Sequence, residues 1–84
     1  MMTIHWTRKA YKQLRKIGDS KARIGVYNAV DKLQDWPDVK NVKALQGRSD
    51  YRLRVGRYRV IFDVRQSLRV IEIQEVRKRD ERTY

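Results

Sequence analysis

The sequence contains no cysteine and only one histidine. Disulfide bonds, thiolate metal sites and histidine-rich metal sites are therefore excluded. No apolar run approaches the roughly 20 residues that span a membrane, and the N-terminus lacks the apolar segment of a signal peptide. We therefore expect a cytoplasmic protein that uses no metal or other cofactor.

Acidic residues are scarce: 10 Asp and Glu stand against 21 Lys and Arg, which gives a formal net charge of +11. Such an excess of positive charge indicates which partners a protein binds and does not indicate its fold. Nucleic acid is the leading candidate, an acidic protein partner is the second, and an anionic membrane surface is a distant third. The length of 84 residues and the hydrophobic fraction of 40% fit one small folded domain, residues 1–84.

Helical and strand-like patterns occupy separate parts of the chain. They predict a strand over 3–6, helices over about 7–16 and 19–34, a strand over 42–45, a hairpin over 51–64 and a last strand over 68–76. Thr7, and either Asp19 or Ser20, can cap the helices by accepting hydrogen bonds from free backbone N–H groups. This order predicts an α+β fold: an N-terminal strand and a helical hairpin packed on one face of a small, largely antiparallel, four- to five-stranded sheet.

Three local features carry further structural predictions. Gly18 is suited to end the first helix in a left-handed conformation. Gly25 costs about 1 kcal/mol relative to alanine inside a helix, so we expect it to allow close packing against the first helix. The run Val70–Ile71 breaks the alternation of the last strand, which indicates a strand that is central or buried on both faces.

The hairpin over 51–64 is the most informative stretch, because apolar and basic residues alternate on both sides of Gly56. A turn centred on Val55–Gly56 puts both apolar sets on one face. That register sets Arg54 opposite Arg57 and Arg52 opposite Arg59. Like charges set opposite each other destabilise a sheet, so a polyanion is the expected compensation.

The arginines of the basic face have two possible interpretations. They are either solvated surface residues without a role, or they bind a nucleic-acid backbone. The hairpin aromatics fall on the apolar face, which argues against a base-stacking binder. An enzyme that cleaves RNA without metal must deprotonate a 2′-OH, protonate the leaving 5′-oxygen and stabilise the phosphorane. Arginine serves only the last role well. Tyr84 is a candidate proton carrier, because nearby arginines favour its ionised form, although it could equally pack on the sheet.

Three segments, VKALQG at 42–47, YRLRVGRYRVIF at 51–62 and VRKRDERTY at 76–84, resemble the RelE/ParE superfamily of bacterial type II toxins. The RelE-like branch implies a ribosome-dependent mRNA endonuclease that inhibits translation by attack of the 2′-OH on the adjacent phosphate. Its partners would be the 70S ribosome with its rRNA and mRNA, and a cognate antitoxin with an acidic segment. The alternatives are a ParE-like inhibitor of DNA gyrase and a non-catalytic RNA- or ribosome-binding domain.

The resemblance also implies roles for individual residues. Arg52, Arg54 and Arg59 would hold the phosphates and stabilise the phosphorane. Arg79 would position or protonate the leaving oxygen, and Tyr84 would take the 2′-OH proton. Further basic residues are expected to contact RNA: Lys43, Arg48, Arg57, Arg77, Lys78 and Arg82.

Overall fold

The computed structural model describes residues 1–47 and 49–78. Its helices and strands follow the predicted order: β1 Thr3–Trp6, α1 Arg8–Arg15, α2 Ser20–Asp31, β2 Val42–Ala44, β3 Tyr51–Val55, β4 Tyr58–Arg65 and β5 Val70–Lys78. Short 3-10 turns extend α2 over Lys32–Asp35 and connect β4 to β5 over Gln66–Leu68. No helix of the described residues is long and apolar enough to cross a membrane.

The strands form one mixed sheet in the order β1-β5-β4-β3-β2. Only β1, which runs parallel to β5, departs from antiparallel pairing. The predicted α+β class and largely antiparallel sheet are thus confirmed. Because β5 lies between β1 and β4, the prediction of a central last strand from Val70–Ile71 is confirmed as well.

The two helices begin where the capping residues predict. The Thr7 hydroxyl accepts a hydrogen bond from the Ala10 N–H at 3.1 Å, and the Asp19 carboxylate accepts one from the Lys21 N–H at 3.1 Å. Each bond satisfies a backbone donor that a helix start leaves free.

The end of α1 differs from the prediction. Gly18 is not among the described residues with positive φ, so the expected left-handed termination at that residue is wrong. Instead, Lys16 caps the helix in right-handed conformation, and the Arg23 guanidinium donates a 2.7 Å hydrogen bond to the Ile17 carbonyl. A side chain from α2 thus satisfies an acceptor just beyond the end of α1.

Both helices pack on the same face of the sheet. The buried apolar core comprises Met2, Ala10, Leu14, Ile17, Val26, Val30, Leu33, Leu53, Val60, Phe62, Ile71, Ile73 and Val76. The Trp36 ring packs edge-on against Tyr51 and Phe62, with ring centroids 4.8 and 5.6 Å away. The hairpin aromatics therefore belong to the core side of the sheet, as predicted.

The β3–β4 register differs from the predicted register by two residues. Arg54 faces Arg59, and Arg52 faces Ile61. The loop consists of Gly56 and Arg57 rather than Val55 and Gly56, because Gly56 adopts a φ of +55°, which favours glycine at the first loop position. A shift of two keeps every side chain on its face, so the predicted apolar and basic faces are right although the pairing is wrong.

Strand β5 also differs from its predicted bounds. It begins at Val70 and ends at Lys78, so the sheet includes Arg77 and Lys78, which lie beyond the predicted end at residue 76. The strand contains a β-bulge: Ile61 pairs with Glu75, and Phe62 pairs with Ile73. The extra residue between these pairs places Glu75 on the same face as Glu72, although the two are three positions apart.

Candidate nucleic-acid interface

The face of the sheet opposite the helices, here called the open face, is organised in rows by the strand register. The arginine row, nearest the β3–β4 turn, consists of Arg54, Arg59 and Arg77. The mixed row next to it consists of Lys43, Arg52, Ile61 and Glu75. The acidic row beyond consists of Asp63, Glu72 and His5.

The arginine row places three guanidinium side chains side by side on β3, β4 and β5. Directly opposed residues of antiparallel strands have Cβ atoms about 5 Å apart, so these side chains start close together. Arg54 and Arg77 are exposed, and Arg59 is half-buried. The Arg77 Nε lies 3.0 Å from the Glu75 carboxylate in the neighbouring row. The row itself contains no carboxylate, and its three guanidinium groups give this end of the open face a positive charge.

The mixed row combines two cations with a buried apolar residue. Ile61 is only 8% exposed, yet it lies outside the core cluster and on the open face. It provides an apolar floor on which the aliphatic stem of Arg52 can lie. Within residues 1–47 and 49–78, Lys43, Arg52 and Arg54 take part in no ion pair. Lys43 and Arg52 therefore add to the positive charge of the arginine row, to which Arg54 already belongs.

The acidic row is partly neutralised from within the chain. Asp63 faces Glu72 directly across β4 and β5, and Glu72 faces His5 across β5 and β1. Arg65 bridges both carboxylates, with its Nη2 3.2 Å from Glu72 and its Nε 3.6 Å from Asp63. An anionic ligand is therefore expected to avoid this end of the open face.

Helix α1 closes the edge of β5 where β1 has ended. The Thr7 hydroxyl donates to the Ile73 carbonyl at 2.7 Å, and the Val76 N–H donates to the Gln13 side chain at 2.8 Å. At the same edge, the Glu75 carboxylate forms ion pairs with the Lys9 Nζ, at 3.2 Å, and with Arg77. Glu75 therefore links α1 to the arginine row.

Sequence reasoning did not single out Glu75, Ile61 or Arg65. A signal for Glu75 was present: after Val70, the apolar positions of β5 are 71, 73 and 76, and the uneven spacing indicates one extra residue. Ile61 belongs to an unbroken apolar run, 60–62, which indicates burial on both faces.

The structure brings together five of the predicted site residues and separates others from them. Lys43, Arg52, Arg54, Arg59 and Arg77 share the basic end of the open face. Arg57 lies in the turn at its rim. Lys78 pairs with Tyr58 and so points to the helix side of the sheet, away from this group. Arg48, Arg79, Arg82 and Tyr84 lie outside the described residues.

A groove between α2 and the β3–β4 turn is lined by Lys78 and Gly25. A cavity of about 350 Å³ is bordered by Gly25, Gly56 and Lys78, and a neighbouring cavity of about 620 Å³ shares the two glycines. A side-chain carbon added at Gly25 would meet no atom within 4 Å. The predicted close packing of Gly25 against the first helix is therefore wrong, since this residue faces the groove.

The arrangement is chemically suited to phosphate binding and charge stabilisation. A guanidinium group can donate two parallel hydrogen bonds to the oxygens of one phosphate. Because it remains charged at physiological pH, it can stabilise the charge of a phosphorane but transfers protons poorly. Among the described residues, no group of three His, Cys, Asp or Glu side chains could hold a metal ion.

The α+β fold, with a helical hairpin on one face of a mixed sheet, is the fold of small RelE-type toxin domains. A family model, the ParE toxin of type II toxin–antitoxin systems, matches residues 4–83. The chain therefore belongs to the ParE toxin family and is the toxin of a type II toxin–antitoxin system. The predicted membership of the RelE/ParE superfamily is thus confirmed.

Solved structures with the same fold include toxins of both types. A chain of the RelBE2 toxin–antitoxin complex from Mycobacterium tuberculosis matches with a TM-score of 0.81 at 21% identity, covering 93% of this chain and 98% of that one. The isolated E. coli RelE toxin matches with a TM-score of 0.79 at 18% identity, covering 98% and 88%. A chain of the chromosomal ParDE system of P. aeruginosa matches with a TM-score of 0.74 at 22% identity, covering 93% and 96%. No curated protein matches the chain in sequence.

Proposed function

We propose that this toxin is a ribosome-dependent mRNA endonuclease that inhibits translation in the cytoplasm. The observation that carries the proposal is the alignment of Arg54, Arg59 and Arg77 across three strands, with Arg52 and Lys43 in the adjacent row. Guanidinium groups aligned across neighbouring strands suit the phosphates of an RNA backbone, which they can bind in bidentate geometry.

In the proposed reaction, the 2′-oxygen of one nucleotide attacks the adjacent phosphorus while the bond from phosphorus to the 5′-oxygen breaks. The phosphorane gains negative charge relative to the substrate. Arg52, Arg54 and Arg59 would stabilise that added charge, since donors fixed in advance favour the transition state over the ground state.

Proton transfer would fall to residues outside the arginine row. By the family resemblance, Tyr84 takes the proton of the 2′-OH, and Arg79 positions or protonates the leaving 5′-oxygen. These two roles remain predictions from sequence. Arg77 and Lys43 would contact the RNA backbone on either side of the scissile phosphate, because they lie at opposite edges of the basic region.

The partner that controls the toxin would be a cognate antitoxin with an acidic segment. The net charge of +11 favours such a partner, and the similar M. tuberculosis structure is itself a toxin–antitoxin complex. An acidic segment laid over the arginine row would block RNA directly.

Inhibition of DNA gyrase is the second candidate, and the match of residues 4–83 to the ParE family model favours it. This function needs no nuclease site. It predicts that the arginine row contacts a protein or DNA rather than a scissile RNA phosphate.

Two assays on the purified toxin separate the candidates. In a translation extract, the nuclease proposal predicts arrested protein synthesis and mRNA cut within ribosome-bound regions. In a gyrase supercoiling assay at the same toxin concentration, it predicts no inhibition. Blocked supercoiling with intact mRNA and normal translation would overturn the proposal in favour of gyrase.

A further inference from the structure

Helix α1 lies in a segment without acidic residues. Residues 1–18 contain five Lys and Arg and no Asp or Glu, and the first carboxylate of the chain is Asp19. The five cations all lie within or directly after α1: Arg8, Lys9, Lys12, Arg15 and Lys16. This cluster of positive charges is separate from the open face.

Four of these cations form one exposed surface. Ala10 and Leu14 are buried and define the core side of α1. At about 100° per residue, Arg8, Lys12, Arg15 and Lys16 project from the opposite side. All four are exposed. We call this set the α1 cationic face.

The α1 cationic face lacks compensation from the described part of the chain. Arg8 and Lys16 each lie four residues from Lys12, a spacing at which like charges destabilise a helix. None of the four cations forms an ion pair with another described residue. Arg15 has one favourable contact, 5.9 Å from the centre of the Tyr11 ring. Lys9, which pairs with Glu75, lies on the flank.

We propose that the α1 cationic face binds the phosphate backbone of a structured RNA. This second RNA contact rests on the proposed function, in which the structured RNA is ribosomal RNA. The α1 cationic face would then anchor the toxin, while the open face engages the mRNA to be cut.

The composition of the face favours RNA over an acidic protein. Centres of protein interfaces are depleted in lysine and enriched in aromatic residues and arginine, whereas this surface has two lysines among its four cations and its aromatic residue, Tyr11, at its side. Backbone binding needs charge and no apolar contact. Cations four residues apart are spaced about 6 Å along the helix axis, comparable with successive phosphates on a nucleic-acid strand.

The two cationic surfaces meet at one residue and point in different directions. Glu75 lies 3.2 Å from Lys9 of α1 and 3.0 Å from Arg77 of the arginine row. The α1 cationic face turns away from the core on the helix side, and the arginine row lies on the opposite face of the sheet. A single extended strand would not lie flat on both, so the α1 cationic face contacts a different RNA segment.

The test compares two variants that lose the same charge. The first carries Lys12→Gln, Arg15→Gln and Lys16→Gln. The control carries Lys21→Gln, Lys32→Gln and Lys40→Gln, at exposed positions outside the α1 cationic face. Glutamine is a good helix former, and circular dichroism checks that both variants fold. Binding to a 16-base-pair RNA duplex is titrated between 50 and 200 mM salt.

We expect the first variant to bind the duplex at least tenfold more weakly than the control. The slope of log affinity against log salt should fall by two to three relative to wild type, since each lost phosphate contact lowers it by roughly one. Equal affinities for the two variants would overturn the inference. So would a first variant that keeps duplex binding and loses binding to polyglutamate, which would assign the face to an acidic protein.

Cleavage of mRNA on programmed ribosomes separates this inference from the proposed function. The first variant should cut at the wild-type rate when ribosomes are saturating, with KM raised at least tenfold. If wild type cuts no mRNA, the proposed function fails, and the duplex titration still decides whether the α1 cationic face binds RNA.

Discussion

The two ends of the open face are built from the same strands, β4 and β5, yet they carry opposite charges. In the acidic row, Asp63 and Glu72 face each other and Arg65 bridges them. In the arginine row, like charges also face each other, but the row holds no carboxylate. At the acidic end one arginine bridges two carboxylates. At the other end arginines of three strands gather and Arg77 pairs with Glu75 of the neighbouring row, which leaves an excess of positive charge among the described residues where a polyanion is expected to bind.

The largest effect should come from removing charge in the arginine row. We expect Arg54→Ala to slow single-turnover cleavage of ribosome-bound mRNA about 100-fold, because loss of one donor to a developing oxyanion costs about that much. The matched control, Arg65→Ala, removes an arginine from the other end of the same face and should change the rate less than twofold. Similar rates for both variants would show that the two ends are not functionally distinct.

A smaller effect is expected on stability at the acidic end. Arg65→Ala should lower the free energy of unfolding in urea by about 0.5–1 kcal/mol, because it leaves Asp63 and Glu72 opposed without a bridging cation. The Arg65 side chain is 47% exposed, so solvent screening keeps the loss small. In a Glu72→Gln background the same substitution should cost less, and an undiminished cost would mean that Arg65 acts by other contacts.

The smallest effect should be a gain in stability at the arginine row. We expect Arg54→Thr to raise the free energy of unfolding by a few tenths of a kcal/mol at low salt, since it relieves the opposition to Arg59. The electrostatic part of this gain should shrink at about 1 M salt, where charges are screened within a few ångströms. Lys40→Thr, which removes the same charge from a loop, should show no such salt-dependent gain. A gain that salt leaves unchanged would reflect strand propensity instead of repulsion.

The predictable part of the fold follows from alternation and capping. Alternation in the hairpin assigned each side chain to its face, and a two-residue shift in register left that assignment intact. Thr7 and Asp19 fixed the helix starts because their side chains act on adjacent residues. Such local features can be predicted from sequence even when the tertiary arrangement is unknown.

The unpredictable part depends on distant contacts. The β3–β4 register follows from the left-handed conformation of Gly56 at the first loop position. The end of α1 depends on a hydrogen bond from Arg23, a residue of α2. Glu75 reaches its two cations only because the bulge in β5 sets its face and α1 covers the adjacent edge. Lys78 is one of the basic residues expected to contact RNA, but alternation along β5 turns it to the other side of the sheet.

The chemical structure of the cut mRNA tests the central claim most directly. Ribosomes programmed with one defined mRNA are treated with the toxin, and the new 3′ end is identified by mass spectrometry. Attack by the 2′-oxygen predicts a 2′,3′-cyclic phosphate or its 2′- or 3′-phosphate hydrolysis product, together with a 5′-hydroxyl on the downstream fragment. A free 3′-hydroxyl with a 5′-phosphate, or intact mRNA, would contradict the claim that the arginine row stabilises a phosphorane formed by 2′-oxygen attack.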